Sequence, residues 1–296
     1  MTKNNNIDQL QMDREMQEDN QHIQTELDNL LNQSILEGFV EVPILPEIAN
    51  KAFMLANDKE SDASQLAQLI QSDPSLAGHV MRIANSAAYT PMANLTSLQQ
   101  AIARLGMVTV SEIAISAVLN AKLFNTPGYE DYADAIWQQS LATSLWAKEV
   151  ASHCNVNVEV AFLAGLIHSI GRPAVLQTLI DIAEQQTLPL NDEIVHQLED
   201  KYWLAVSQMI VIRWCMPVLV IETIQHLETP SADREAGQLA AVVNMARYAA
   251  NAMLNDELAD DFPEAAIAIV EFESADIQKL LTKKEQISER LTQLMA

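Results

Sequence analysis

Positive charge, cysteine, glycine and aromatic residues are all scarce in this chain. Its 17 lysines and arginines stand against 40 aspartates and glutamates, a formal charge of -23. A surface this acidic repels phosphate backbones and anionic headgroups, which argues against direct nucleic-acid binding and against a membrane surface. The charge serves solubility at least as readily as it would serve an acidic docking role. The two cysteines, Cys154 and Cys215, lack metal-ligand spacing and read as reduced structural thiols of a cytoplasmic protein. Seven glycines supply no Walker loop, no dinucleotide-binding fingerprint and no Gly-x-Ser-x-Gly elbow, which counts against most nucleotide hydrolases and serine hydrolases. The polar opening, Met1-Thr2-Lys3-Asn4, predicts no secretory leader. The longest apolar region, Trp203 to Ile221, is interrupted by Ser207, Gln208, Arg213 and Pro217 and reads as a buried helix pair, not a membrane span.

What the chain has in quantity is Ala, Leu, Ile, Gln and Met, a helix-forming composition, over 296 residues that can bury a large core as one or two domains. Residues 1 to about 20 are polar and are expected to fray. Helical spacing starts with Ile23, Leu27, Leu30, Leu31 and Ile35, and a break from Gly38 to Pro46 follows. Pro46 is expected to open a helix carrying Ile48, Ala52, Phe53 and Leu55. Asp62 with Gln65 fits a capping box, and Asp73-Pro74 is an N-cap followed by proline. Thr96 is expected to cap the next helix and Gly106 to end it. Thr109 with Glu112 fits a second capping box before the run from Ile113 to Leu123. Further helices are expected near 130–153, 158–170, 173–184, 192–213, 217–227, 236–254 and 275–295. No strand alternation or hairpin signal occurs, so the fold class is all-α: a multi-helix bundle. Its expected organisation is a polar tail and short helix over 1–37, a helical domain over 38–250 and a helical extension over 251–296. In the last, Ile277, Leu280, Leu281, Ile287, Leu291 and Leu294 form a stripe expected to pack within the chain.

Six segments in order carry a resemblance. Leu45-Pro46 precedes a run from Asp62 to Leu76 that includes Asp73-Pro74. Val80-Met81-Arg82-Ile83-Ala84-Asn85-Ser86-Ala87 and Ser97-Leu98-Gln99-Gln100-Ala101-Ile102-Ala103-Arg104-Leu105-Gly106 come next. Trp137-Gln138-Gln139-Ser140-Leu141 and the segment from Phe162 through His168-Ser169 to Gly171 complete the series. Over roughly residues 38 to 250 the chain closely resembles the HDOD domain, a helical relative of the HD phosphohydrolases.

The resemblance implies a compact all-helical domain of bacterial signalling that accompanies cyclic-dinucleotide and sensory modules and acts through protein partners. The parent HD enzymes hold metal with a histidine, a His-Asp pair and a later aspartate, and the metal activates water against a phosphoester. Carried to this sequence, the early histidine falls at Gln139 and the His-Asp pair at His168-Ser169. The late aspartate falls near Asn244-Met245-Ala246-Arg247, where no acid stands. Only His168 remains of four ligands, and one imidazole does not make a hydrolytic site. The expectation is therefore no catalytic residue, no metal and no cofactor. The expected function is a non-catalytic regulatory protein acting through protein partners or a small ligand. The alternative is a divergent metal-dependent phosphohydrolase, the one case in which a divalent metal is required.

Other polar residues are weighed against plainer roles. His168 reads first as a histidine donating to a backbone carbonyl. Asn85, Ser86 and Arg172 are candidate ligand or partner contacts, although an Asn-Ser pair also ends helices and Arg172-Pro173 can simply start one. Glu193, His196 and Asp200 share a helix face, more simply a solvated one than a substitute metal site. His153 with Cys154, and His226, sit at helix ends where capping explains them. Met81, Met209 and Met216 read as core filler.

Overall fold

The computed structural model describes residues 2–43, 47–58, 60–90, 95–120, 123–154, 156–257 and 262–295, with the backbone alone for 2–19, 57 and 120. The regular elements among the described residues are all helices, with no strand among them. The N-terminal helices are α1 (Thr2–Glu37), α2 (Glu47–Asn57), α3 (Ala63–Gln71), α4 (Pro74–Ala84), α5 (Leu98–Leu105) and α6 (Met107–Asn120). The middle of the chain forms α7 (Glu130–His153), α8 (Val158–Ile167), α9 (Gly171–Gln186), α10 (Asp192–Arg213), α11 (Val218–Gln225) and α12 (Glu235–Leu254). The last three are α13 (Glu264–Val270), α14 (Ser274–Leu281) and α15 (Lys284–Met295).

Local chemistry sets many of these ends. Asp62 accepts from Ser64 and Gln65 N–H while Gln65 reaches back to the Asp62 N–H, so the expected capping box is present. Asp73 caps α4 with Pro74 in its first turn. Gly106 ends α5 at φ 87°, a conformation that only glycine takes without strain, and α6 leaves at 119° to α5. Two expectations at this corner differ from what is observed. Ser97, not Thr96, is the N-cap of α5, while Thr96 donates to the Gln100 side chain. Because α6 starts at Met107, Thr109 lies inside it and makes no cap. Glu112, taken for its capping partner, instead bonds Lys148 on α7 at 2.6 Å.

Three further boundaries differ from expectation. The helix placed from Ile23 begins at Thr2, consistent with a stretch rich in Gln, Glu and Met that lacks glycine and proline. The single C-terminal helix is two, because Thr282 and Lys283 turn back onto Lys279 and Leu280. Gly171, in the break between the helices expected near 158–170 and 173–184, starts α9. Leu45-Pro46, including the expected helix opening at Pro46, lies outside the described residues.

α7 runs through the middle of the molecule, flanked by α8, α12 and α15. α9 and α10 pair alongside, and α1 lies across them. α2 to α6 form the other end, with α2 and α4 packed on α6. α8 is buried on every side, from Val160 to Ile167. α8 and α9 together are apolar and long enough to cross a membrane, but their strongest window is 78% buried in this core. Trp203 to Ile221 forms the expected helix pair, the end of α10 and α11. Ile287, Leu291 and Leu294 of α15 are buried in the same core.

Candidate functional site

The junction of α8 and α9 meets α7, α10 and α12 at the residues on which the resemblance turns. His168 follows the last residue of α8 and is only 2% exposed. Its Nδ1 donates to the Gly165 carbonyl at 2.8 Å, the plain role expected of it. Its ring meets Trp203 of α10 edge-on at 6.4 Å. Burial, reinforced by the Arg247 and Arg172 guanidiniums, pushes His168 down to about 3, so the imidazole is neutral at neutral pH.

That depression has a consequence for stability. The folded chain refuses a proton that the unfolded chain accepts near pH 6.5. Stability therefore falls on acidification from about pH 6.5 towards 3, by about 1.4 kcal/mol per pH unit for one proton. Urea titrations between about pH 6 and pH 4 should show this extra slope in the wild type and not in His168→Gln. Equal slopes would mean that the imidazole is solvated.

Ser169, which the resemblance sets at the place of the parent aspartate, is also buried. Its hydroxyl lies 2.6 Å from that of Ser140 on α7. Ser140 donates to the Ile136 carbonyl, so Ser169 is the donor of the pair. Gln139, which the resemblance sets at the place of the early histidine, donates through Nε2 to the Arg247 carbonyl at 3.3 Å. The structure thus gathers Gln139, His168, Ser169 and the 244–247 turn of α12 around one junction.

Sequence reasoning missed what surrounds them. Trp203 has two guanidiniums against its ring, Arg172 at 5.3 Å and Arg247 at 5.0 Å from the centroid. Arg172 bonds Asp200 at 2.9 Å and Glu199 at 3.3 Å, and Glu199 is 0% exposed. Tyr132 of α7 also donates to Glu199. Burial raises the Glu199 carboxyl above its usual range, and the Tyr132 and Arg172 bonds oppose that. Arg247 bonds only Asn244, at 3.4 Å, and no carboxylate pairs with it among the described residues. The spacing of Glu199 and Trp203 at i and i+4 on α10 was the one signal of this cluster in the sequence.

The remaining candidates lie apart or are held locally. Asn85 ends α4, and its side chain bonds the Met81 carbonyl and both backbone groups of Leu95. Ser86 Oγ beside it is buried without a partner among the described residues. Arg172 sits in the first turn of α9 and is committed to its two carboxylates. His196 contacts the Tyr132 hydroxyl at 3.0 Å, Asp200 holds Arg172 and Glu193 takes a bond from Gln197, so these three do not converge. No group of three His, Cys, Asp or Glu side chains gathers as a metal site among the described residues. His153 and His226 each donate to a carbonyl one turn back, at 2.8 and 2.7 Å. Cys154 is half-buried and burial pushes its thiol up to about 11, whereas Cys215 is exposed.

The molecule has clear relatives. An uncharacterised protein of Treponema pallidum (strain Nichols) is 22% identical over 86% of this chain, and the chain spans about half (51%) of its length. Among solved structures, a presumed metal-dependent phosphohydrolase from Shewanella amazonensis SB2B matches with TM-score 0.68 at 20% identity, over 91% of this chain and 99% of that one. An HDOD domain protein of unknown function from Geobacter sulfurreducens matches with TM-score 0.68 at 18% identity, over 89% and 97%. A presumed signal transduction protein from Marinobacter aquaeolei VT8 matches with TM-score 0.66 at 21% identity, over 92% and 66%. At these identities the structures establish a shared fold and nothing more. The HDOD domain profile, however, matches residues 42–230, most of the chain, and this protein is a member of the HDOD domain family.

Proposed function

We propose that this protein is a non-catalytic regulatory module of bacterial signal transduction, working in the cytoplasm by binding a protein partner, with a small ligand as a further input. The observation that carries this reading is the Arg247 guanidinium beside His168, against the same Trp203 ring. A hard divalent cation needs anionic oxygen donors around it. Here the donors are an amide engaged with a backbone carbonyl, a buried neutral imidazole and a serine engaged with another serine. A fixed positive charge stands among them. This donor set does not fit a metal.

An exposed apolar edge supports the binding part of the reading. Arg213 donates to the Gly38 carbonyl, which brings the end of α1 to the end of α10. Leu36 and Phe39 on one segment, and Ile212 and Val218 on the other, are all exposed there. Large apolar side chains grouped on a surface mark interaction sites. In this proposal residues 38–250 are the working unit and 251–296 pack onto it. The description of the Marinobacter protein as a presumed signalling protein points the same way.

Turnover tests the proposal. With Mn2+, Fe2+ or Mg2+ supplied, hydrolysis of p-nitrophenyl phosphate and bis(p-nitrophenyl) phosphate should stay at the uncatalysed rate. Metal-dependent turnover that His168→Ala abolishes would establish the phosphohydrolase instead.

A further inference from the structure

Three side chains at the α8–α9 junction carry hydrogen-bonding capacity that the described residues leave unused. His168 donates through Nδ1 to Gly165, so its Nε2 is an acceptor, and that nitrogen has no partner among them. The ring is only 2% exposed, yet Nε2 is not one of the buried unpaired atoms, so the little that is open includes it. Gln139 is half-buried and uses its Nε2 on the Arg247 carbonyl, which leaves Oε1 as a second open acceptor. Arg247 is also half-buried. It bonds Asn244 through Nη1 at 3.4 Å and keeps Nε and Nη2 as open donors. The three belong to one place: the His168 ring and the Arg247 guanidinium lie against the same indole, and Gln139 is tied to the Arg247 backbone.

Charge at this place is unevenly shared. Burial, reinforced by the Arg172 guanidinium, pulls Arg247 below its usual range, and Asp200 opposes that. Asp200 and Glu199 are both held by Arg172, and neither pairs with Arg247. A chain with 40 aspartates and glutamates thus keeps a partly desolvated cation beside a second cation, with no carboxylate on it among the described residues. An uncompensated charge out of water is costly, and groups held in that state cluster at functional sites. With one face over the indole, the guanidinium donates along its edge, the geometry that matches a carboxylate through two parallel bonds.

We infer that Arg247, His168 and Gln139 bind a small 2-hydroxy carboxylate, its carboxylate on the Arg247 edge and its hydroxyl donating to one of the two open acceptors. The donor is neutral because an ammonium there would face two guanidiniums. A phosphate dianion fits less well, since its remaining oxygens would turn on the same two acceptors. The class therefore differs from the phosphoesters of the parent enzymes. The assignment rests on the metal-free reading of this junction, and the two fail separately: metal-dependent turnover decides that reading, and an anion titration without added metal decides this one.

Glycolate is the probe. Acetate, which lacks the hydroxyl, and inorganic phosphate are the comparisons, all at one ionic strength set with chloride. The Arg247 Nε–H resonance of the 15N-labelled full chain, assigned through its own side chain, is the readout. Glycolate should move it downfield with half-saturation at about 1–10 mM, within the ceiling for a five-atom ligand. Acetate should bind about three- to tenfold more weakly, the fold-change for one net hydrogen bond, and phosphate no more tightly than acetate. Arg247→Met keeps an unbranched side chain over Trp203. It should weaken glycolate binding, followed at the Trp203 indole N–H, by about tenfold or more. No saturable shift of the Arg247 resonance up to about 100 mM, tenfold above the weakest value expected, would overturn the assignment. So would acetate or phosphate binding as tightly as glycolate, or a glycolate affinity that Arg247→Met leaves unchanged, as a metal-held glycolate would show. The comparison of the three anions needs no variant.

Discussion

Gly171→Ala is expected to destabilise the protein by about 3 kcal/mol or more, the upper end of overpacking costs. A methyl group there would lie 2.0 Å from the Trp203 carbonyl oxygen and 2.6 Å from the Ser207 N. Both are backbone atoms of α10, so no rotamer change relieves the contact. α9 and α10 would have to separate. Separation would break the Gly171 N–H bond to Ser207 Oγ, now 2.8 Å. It would also pull Arg172 away from Glu199. Gly78→Ala is the control. That glycine is exposed within α4 with nothing within 4 Å of the added carbon, so alanine should stabilise by about 0.5–1 kcal/mol through helix propensity. Urea midpoints of the two variants check both signs. A neutral Gly171→Ala would mean that the α9–α10 contact is looser than described.

The second large effect concerns a charge. Arg172→Ala leaves Glu199, fully buried, with Tyr132 as its remaining bond. Removing one partner of a buried pair costs about 3–5 kcal/mol because the other charge stays desolvated. The solvent access of Arg172 places the expected value near the lower end, about 3 kcal/mol at neutral pH. The pH dependence identifies the cause. The folded Glu199 carboxyl already titrates above its ordinary 4.5, and loss of Arg172 moves it higher. A carboxyl whose folded value is raised makes the folded state the better proton binder, so its penalty grows as pH rises through that window. The deficit of Arg172→Ala should therefore shrink as pH falls towards 4.5, by about 1.4 kcal/mol per unit at most. Adding Glu199→Gln should remove most of it at neutral pH. A deficit independent of pH, and additive with Glu199→Gln, would assign the loss to stacking on Trp203.

The helical plan was legible because its punctuation is local. Asp62, Asp73 and Gly106 act through groups within four residues, and the ends of α10 fall at the expected 192 and 213. The misreadings occurred where two local signals competed. Thr109 and Glu112 match a capping box in composition, but the Gly106 turn had already started α6, which freed Glu112 for Lys148. Six apolar residues after 275 follow one helical period, and a turn at Thr282 and Lys283 splits them without a glycine or proline to announce it.

The site divides in the same way. The absence of carboxylate and imidazole at Gln139 and Ser169 was visible because residue identity alone decides what an atom can coordinate. The surrounding cluster left only the spacing of Glu199 and Trp203 as a signal. Arg172, Glu199, Trp203 and Arg247 come from three helices, and only packing brings them together. Nothing at position 247 in the sequence announces that its guanidinium stands beside His168. The donor and acceptor states of Gln139 and Ser169 likewise depend on who else is bonded. That question is tertiary throughout.

The central claim is that fixed positive charge, amide and hydroxyl occupy the place where the parent fold holds metal. Elemental mass spectrometry on the full chain, purified without chelator, tests it most directly. The account predicts Mn, Fe, Ni, Mg and Zn all far below one per chain, unchanged in His168→Ala. One or two equivalents per chain, lost in His168→Ala, would contradict it and return the protein to the metal-dependent phosphohydrolases.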